Sequence, residues 1–177
     1  MSRFPLICFL ISIVFFSCKE EEIIIPGCTD SAAMNYSSNA NSNNGSCIYA
    51  YDIAQGVWNV NPDCEEYTIP VIGTTISLND QFPEQIEILG AGNSLLYIDL
   101  NDTQLNGVID NSGNIIIDKQ TVSIDMGMGP TDIDIEGNGF ISNSNSGDIN
   151  FTYSFEIELV PGFPITESLD CFVSMYK

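Results

Sequence analysis

The sequence predicts an all-β protein: an antiparallel up-and-down barrel of about eight to ten strands, preceded by a small disulfide-stapled module. Residues 149–159 carry the clearest signal, because six apolar side chains alternate there with five polar ones, the period of a strand with one buried face. Runs rich in Gly, Asn, Asp and Ser separate the other apolar segments, as turns do. No stretch shows the 3.6-residue period of an amphipathic helix.

Further short segments have strand character, and short connections between them imply antiparallel neighbours. An open meander of this length would leave two unpaired edges, so we expect closure into a barrel, with a two-sheet sandwich as the second choice. In chain order these strands are predicted at 56–60, 65–72, 74–79, 84–90, 94–101, 103–109, 114–118, 120–126, 131–143 and 169–176.

Composition excludes several classes of function. The chain of 177 residues has 24 acidic and four basic residues and a formal net charge of −20, so it lacks the cationic clusters that nucleic acid binding requires. It contains no histidine, which excludes histidine-based acid–base chemistry and histidine-ligated metal sites. The length suffices for one domain with a real core and a small module in front of it.

The N-terminus has the pattern of a secretory signal peptide over residues 1–17. Arg3 precedes an uncharged stretch of 13 residues, Phe4 to Phe16, which is too short to span a bilayer. Phe15-Phe16-Ser17-Cys18 resembles the lipobox of bacterial lipoproteins, which implies that Cys18 is acylated and anchors the chain to a membrane. An ordinary cleavage site with a chance cysteine is the alternative. Removing Cys8 and Cys18 leaves an even set of four cysteines: Cys28, Cys47, Cys64 and Cys171.

Residues 18–26 form an acidic tether. Lys19-Glu20-Glu21-Glu22 resembles the surface-export signal of Bacteroidota lipoproteins, which implies a lipid-anchored outer-membrane protein facing the cell exterior. A solvated spacer on the periplasmic side of that membrane is the alternative, because like charges keep a segment extended.

Residues 27–49 form a second unit. The segments that begin at Gly27-Cys28-Thr29-Asp30 and end at Gly45-Ser46-Cys47 resemble a short module common in secreted and surface proteins of Bacteroidota. Asp30 is the only carboxylate between the two cysteines, so calcium binding is disfavoured. We interpret this unit as a disulfide-stapled spacer between the lipid and the main domain.

Residues 51–177 form the main domain. Gly56-Val57-Trp58 resembles the Gly-x-Trp signature of lipocalins, and Trp58, Cys64 and Cys171 match the pattern of lipocalin-like domains in Bacteroidota lipoproteins. The resemblance implies a barrel whose floor holds Trp58 as a core aromatic, with direct ligand contact as the alternative. Lipocalins also place a basic residue over this tryptophan and a helix before the last strand, whereas here no Arg follows Cys18, and residues 160–170 contain two prolines and a glycine.

Four cysteines allow three pairings. We predict Cys28–Cys47, because both lie inside one recognisable module. Cys64–Cys171 would then join the segment after the first strand to the last strand, and these strands are neighbours in a closed meander.

The barrel predicts a binding role for a small apolar ligand or an outer-membrane protein partner. A filled interior in a structural subunit of an outer-membrane complex is the alternative, because small eight-stranded barrels either fill with side chains or hold one small ligand. The residues expected to line a cavity are Trp58, Tyr97, Phe151, Tyr153 and Phe155.

Carboxylates are the only catalytic candidates. Asp132, Asp134 and Glu136 share one face of a predicted strand, and Glu156 and Glu158 share a face of another. The other face of each strand is apolar, so we expect these acids to face water, with a surface Ca²⁺ site on the first group as a weaker alternative. The sequence therefore predicts a non-enzyme without a cofactor.

Overall fold

The computed structural model describes residues 21–69, 73, 75–79, 82–100, 103–125, 130–160 and 163–177. The predicted signal peptide over residues 1–17 and the predicted lipidation site Cys18 lie outside the described residues.

Strands account for nearly all of the regular structure. The only helix of the described chain, α1, spans five residues, Ala50–Ala54. The strands are β1 Pro26–Gly27, β2 Ser42–Asn43, β3 Gly56–Cys64, β4 Glu66–Thr68, β5 Thr75–Ser77, β6 Gln85–Gly92, β7 Leu95–Leu100, β8 Thr103–Ile109, β9 Asn114–Asp125, β10 Pro130–Asn143, β11 Ser146–Val160 and β12 Phe163–Tyr176.

Eight of these strands close into one barrel, which confirms the predicted fold class. The order around the barrel is β3, β6, β7, β8, β9, β10, β11 and β12, and β12 pairs with β3 to complete the ring. Every neighbouring pair is antiparallel, and each strand follows its neighbour along the chain except where the β4–β5 hairpin intervenes between β3 and β6. Closure removes the exposed edges that an open meander would present.

The strands differ from the predicted ones at four places. The first barrel strand, β3, runs to Cys64 rather than ending at residue 60, so Cys64 lies within this strand and not after it. In their described parts, the segments predicted at 65–72 and 74–79 contribute the short β4 and β5, which form a separate two-stranded sheet. The segments predicted at 114–118 and 120–126 form one strand, β9, because a β-bulge against β10 absorbs the break in alternation at Asp118 and Lys119. The last strand begins at Phe163 rather than at residue 169. Pro164 is tolerated in it because β12 pairs with β3 only from Cys171 onward, so no β3 carbonyl needs the amide that proline lacks.

The barrel interior is apolar. Along β11, Ile149, Phe151, Tyr153 and Phe155 are each at most 3% exposed, whereas the alternate side chains are not buried. No polar or charged side chain is buried in the described chain, if tyrosine is counted with the apolar residues. The alternation of apolar and polar residues in the sequence therefore corresponds to one buried face and one solvent-facing face of each strand.

Both predicted disulfides are present. Cys28 is bonded to Cys47 inside the N-terminal module, and Cys64 is bonded to Cys171. Cys64 and Cys171 are directly opposite each other on β3 and β12, so this bond lies across the closure of the barrel. The predicted pairing is confirmed.

The N-terminal module is held by hydrogen bonds that its own polar side chains form within it. Both carboxylate oxygens of Asp30 are used: one accepts from the Ala32 amide at 2.9 Å and the other from the Tyr49 hydroxyl at 2.8 Å. Asn35 bridges to the other end of the module through Ser46 and Ile48. The module is also more than a spacer, because Met34 packs against the barrel core.

Substituting Asp30 with asparagine is expected to reduce the acid sensitivity of this module. The Ala32 amide and the Tyr49 hydroxyl lower the pKa of Asp30. A carboxylate whose pKa is lowered by folding stabilises the native state above its unfolded pKa of about 3.9, and this contribution is lost as pH falls through the lower native value. NMR chemical shifts of the Ala32 amide, followed from pH 6 to pH 2, should titrate in the native chain and stay flat in Asp30→Asn; matching curves would contradict the assignment.

Candidate functional site

One end of the barrel is plugged. Trp58 is fully buried there, and its Nε1 donates to the carbonyl oxygen of Ala54 at 2.7 Å. Helix α1 lies at this end, with Ala50 and Ala54 buried. Trp58 is thus a core aromatic at the barrel floor, as we expected from the Gly-x-Trp resemblance.

A basic residue covers this tryptophan. The Lys177 Nζ lies 4.3 Å from the centre of the Trp58 ring and donates to the carbonyl oxygens of Ile53 and Gln55, each at 2.7 Å. Removal from water lowers the pKa of Lys177. Lys177 was not predicted, because only an arginine was expected over Trp58. The available signal was a lysine directly after the last strand.

The other end of the barrel is lined by aromatic rings. Phe151 is in register with Cys171, and hence with Cys64, which lies six residues along β3 from Trp58. Tyr153 and Phe155 continue along β11 away from the plugged end. Ring-centre distances of 5.9 to 6.4 Å join Phe82, Phe151 and Tyr153 to one another, and a distance of 6.0 Å joins Tyr67 to Phe155. Because Phe155 shares a face of β11 with Tyr153, we call the two groups together the aromatic cluster: Tyr67, Phe82, Phe151, Tyr153 and Phe155.

Two members of the aromatic cluster come from the connection between β3 and β6. Phe82 contacts Phe151 and Tyr153, and Tyr67 packs edge-on against Phe155. The Tyr67 hydroxyl donates to the Glu167 carboxylate at 3.2 Å, and removal from water together with that carboxylate's charge raises the pKa of Tyr67. Sequence reasoning missed both residues, because their segment was assigned to barrel strands or to a connection between them.

Tyr153 places a hydroxyl among these rings. The residue is 3% exposed, and burial raises its pKa well above the ordinary value. No described residue forms a hydrogen bond with this hydroxyl. In the described chain, every side-chain nitrogen or oxygen that is fully enclosed has a hydrogen-bond partner. The Tyr153 oxygen has none, so it is not fully enclosed, and solvent or a ligand can reach it. An apolar site with one unpaired polar group is the usual chemistry of a small-molecule site.

The structure separates the five predicted lining residues. Phe151, Tyr153 and Phe155 lie together, and Trp58 lies at the plugged end. Tyr97 does not line the interior: it alternates with the buried Leu96 and Ile98 and is half-buried on the outer face of β7. The prediction treated residues 96–98 as one apolar run, whereas neighbouring side chains of a strand point to opposite faces.

The carboxylates of β10 lie on the outer wall. Asp132 and Glu136 are exposed, and Asp134 accepts from the Thr121 hydroxyl at 2.7 Å and forms an ion pair with Lys119 at 2.9 Å. Both interactions lower the pKa of Asp134, Thr121 more than Lys119. Among the described residues, no group of three or more potential metal-ligating side chains comes together.

Fold and site together define a class: an eight-stranded up-and-down β-barrel closed by a disulfide, with one end plugged and an aromatic cluster towards the other. No family model matches the chain, and no significant match is found among curated proteins or solved structures. In the part of the chain that the structure describes, no helix is long and apolar enough to cross a membrane.

Proposed function

We propose that this protein is a lipid-anchored surface lipoprotein whose barrel binds a small apolar ligand at the aromatic cluster, without catalysis. The observation that carries the proposal is the Tyr153 hydroxyl, which belongs to a buried ring packed against Phe82 and Phe151, has no hydrogen-bond partner among the described residues, and is open to solvent or a ligand. A ligand that replaces water at this hydroxyl keeps the hydrogen bond and buries its apolar body against the rings.

The chemistry of the site restricts the ligand. Phe82, Phe151 and Phe155 offer ring faces and edges, which suit a flat or aliphatic body. Tyr153 offers one hydrogen bond. We therefore propose a mainly apolar small molecule that carries one hydroxyl or carbonyl group.

Naphthalene and 1-naphthol provide a matched pair of probes for this site in the purified whole chain. Substituting Tyr153 with phenylalanine should weaken binding of 1-naphthol about fivefold, the effect of one hydrogen bond, and leave naphthalene binding unchanged. Tyr97→Phe is the control, because Tyr97 carries the same hydroxyl on the outer wall. Equal effects of Tyr153→Phe on both probes would refute the role of this hydroxyl.

A structural subunit with a filled barrel is the second candidate. It is favoured by the aliphatic interior, where Ile88, Ile98 and Leu105 are completely buried. In that case neither naphthalene nor 1-naphthol would bind the native chain, so the same titration distinguishes the two proposals.

Anchoring through Cys18 is proposed from the sequence, as is display on the outer membrane. Cys18→Ala is expected to release nearly all of the protein from membranes, because two or more acyl chains anchor stably at about 0.8 kcal/mol per buried methylene. Cell fractionation measures this, and Cys8→Ala, inside the predicted signal peptide, is the matched control. Protein that stays in the outer membrane after Cys18→Ala, or that survives protease treatment of intact cells, would contradict anchoring or surface display respectively.

A further inference from the structure

The outer wall of the barrel carries an apolar patch over four consecutive strands. Leu95, Val108 and Ile116 are directly opposite one another on β7, β8 and β9, and Leu89 on β6 is opposite Tyr97 on β7. Val108 is 49% exposed, Ile116 60% and Leu89 43%. We call these five residues the wall patch. Contiguous exposed apolar surface of this kind marks interaction sites.

The apolar residues of the wall patch are not required by the barrel. The inner faces of the same strands already supply the core, where Leu96, Leu105 and Ile115 are buried on the other side of the sheet from the wall patch. Phe172 on the outer face of β12 lacks such neighbours: it is 44% exposed and has Asn150 and Asp63 opposite it on the adjacent strands. Phe172 therefore serves as a comparison for the wall patch.

Negative charge borders the wall patch, and no described residue supplies a counter-charge to it. Glu87 on β6 and Asp99 on β7 lie directly opposite each other, two residues along their strands from Leu89 and Tyr97. Like charges in such a pair repel. Both lysines of the described chain are engaged elsewhere, Lys119 with Asp134 and Lys177 with the carbonyls beside Trp58.

We propose that the wall patch is the docking surface for a second protein that presents apolar side chains flanked by lysine or arginine. The apolar rows supply the buried area, and the Glu87–Asp99 pair selects a cationic border, because a partner's cation would relieve the repulsion between these carboxylates. A second copy of this chain fits poorly, since its net charge is also −20. This docking surface is separate from the aromatic cluster inside the barrel, so it stands whether or not a small ligand binds there.

Two amphipathic probe peptides of equal length test the proposal, each with a leucine face and with either lysine or glutamate on the polar face. NMR spectra of the labelled whole chain should show that the lysine peptide shifts amides of β7 to β9 and that the glutamate peptide does not. The double variant Val108→Thr with Ile116→Thr should weaken the lysine peptide about tenfold, the effect of losing two central contacts. Threonine keeps the β-branched shape that strands favour, so the barrel should remain folded.

Two further variants complete the test. Phe172→Thr is the matched control and should leave the affinity unchanged. Glu87→Gln with Asp99→Asn should weaken the lysine peptide and reduce its dependence on salt. The proposal is overturned if both peptides bind equally, if the shifts map to the aromatic cluster, if the wall patch mediates self-association of the native chain, or if the wall patch binds phosphatidylcholine vesicles instead of the peptide.

Discussion

Replacing Trp58 with alanine is expected to destabilise the barrel by about 3 to 5 kcal/mol, the cost of deleting a buried indole. The side chain is fully buried at the plugged end, and its loss also removes the bond to Ala54 and the surface under Lys177. Because the free energy of unfolding of a domain is only about 5 to 15 kcal/mol, this substitution would remove a large part of it. Urea unfolding should be followed by far-UV circular dichroism, because Trp58 is the only tryptophan and the variant has no tryptophan fluorescence to follow.

Trp58→Phe is the matched control for this prediction. It keeps an aromatic plug but removes the Nε1 donor, so it should cost less than the alanine variant and leave 1-naphthol binding at the aromatic cluster intact. A Trp58→Ala variant within about 1 kcal/mol of the native chain would contradict the role of this residue in closing the barrel.

Replacing Cys64 and Cys171 together with alanine is expected to cost about 4 to 5 kcal/mol. The bond closes a loop with a sequence separation of 107 residues, and the chain-entropy model assigns such a loop a contribution of this size. It also joins β3 to β12, the pair that completes the ring. Urea midpoints of the oxidised native chain and of the double variant measure the effect.

The corresponding double variant of Cys28 and Cys47 is the control. Its loop has a sequence separation of 19 residues, for which the same model gives about 3 kcal/mol, and it constrains the module rather than the ring. We expect it to loosen the module and leave the main unfolding transition of the barrel close to that of the native chain. Equal shifts of that transition in both double variants would contradict a special role for the Cys64–Cys171 bond.

Local alternation was sufficient to predict the barrel, but not its exact strand count. Along 149–159 every second side chain is apolar, and only a strand with one buried face explains that pattern. At β9 the alternation changes phase after Ile117, which suggested two strands, whereas a bulge opposite Glu136 joins them into one. Helix α1 was missed because five residues are too few to establish a helical period.

The candidate site was predicted only where one strand supplies it. Phe151, Tyr153 and Phe155 share a face of β11, so their spacing places them together. Tyr67 reaches Phe155, and Phe82 reaches Phe151 and Tyr153, from a connection whose path depends on tertiary packing. The contact of Lys177 with Trp58 joins residues 119 positions apart (177 − 58), so only the position of this lysine directly after the last strand pointed to it.

Native mass spectrometry of the protein purified from its own membrane is the most direct test of the proposed binding role. We expect the folded chain to retain a small molecule whose added mass disappears on unfolding. Tyr153→Phe should retain less of it, and Tyr97→Phe should retain as much as the native chain. A folded native chain at its bare covalent mass, together with no binding of added 1-naphthol, would refute the binding role and leave the barrel as a filled structural unit.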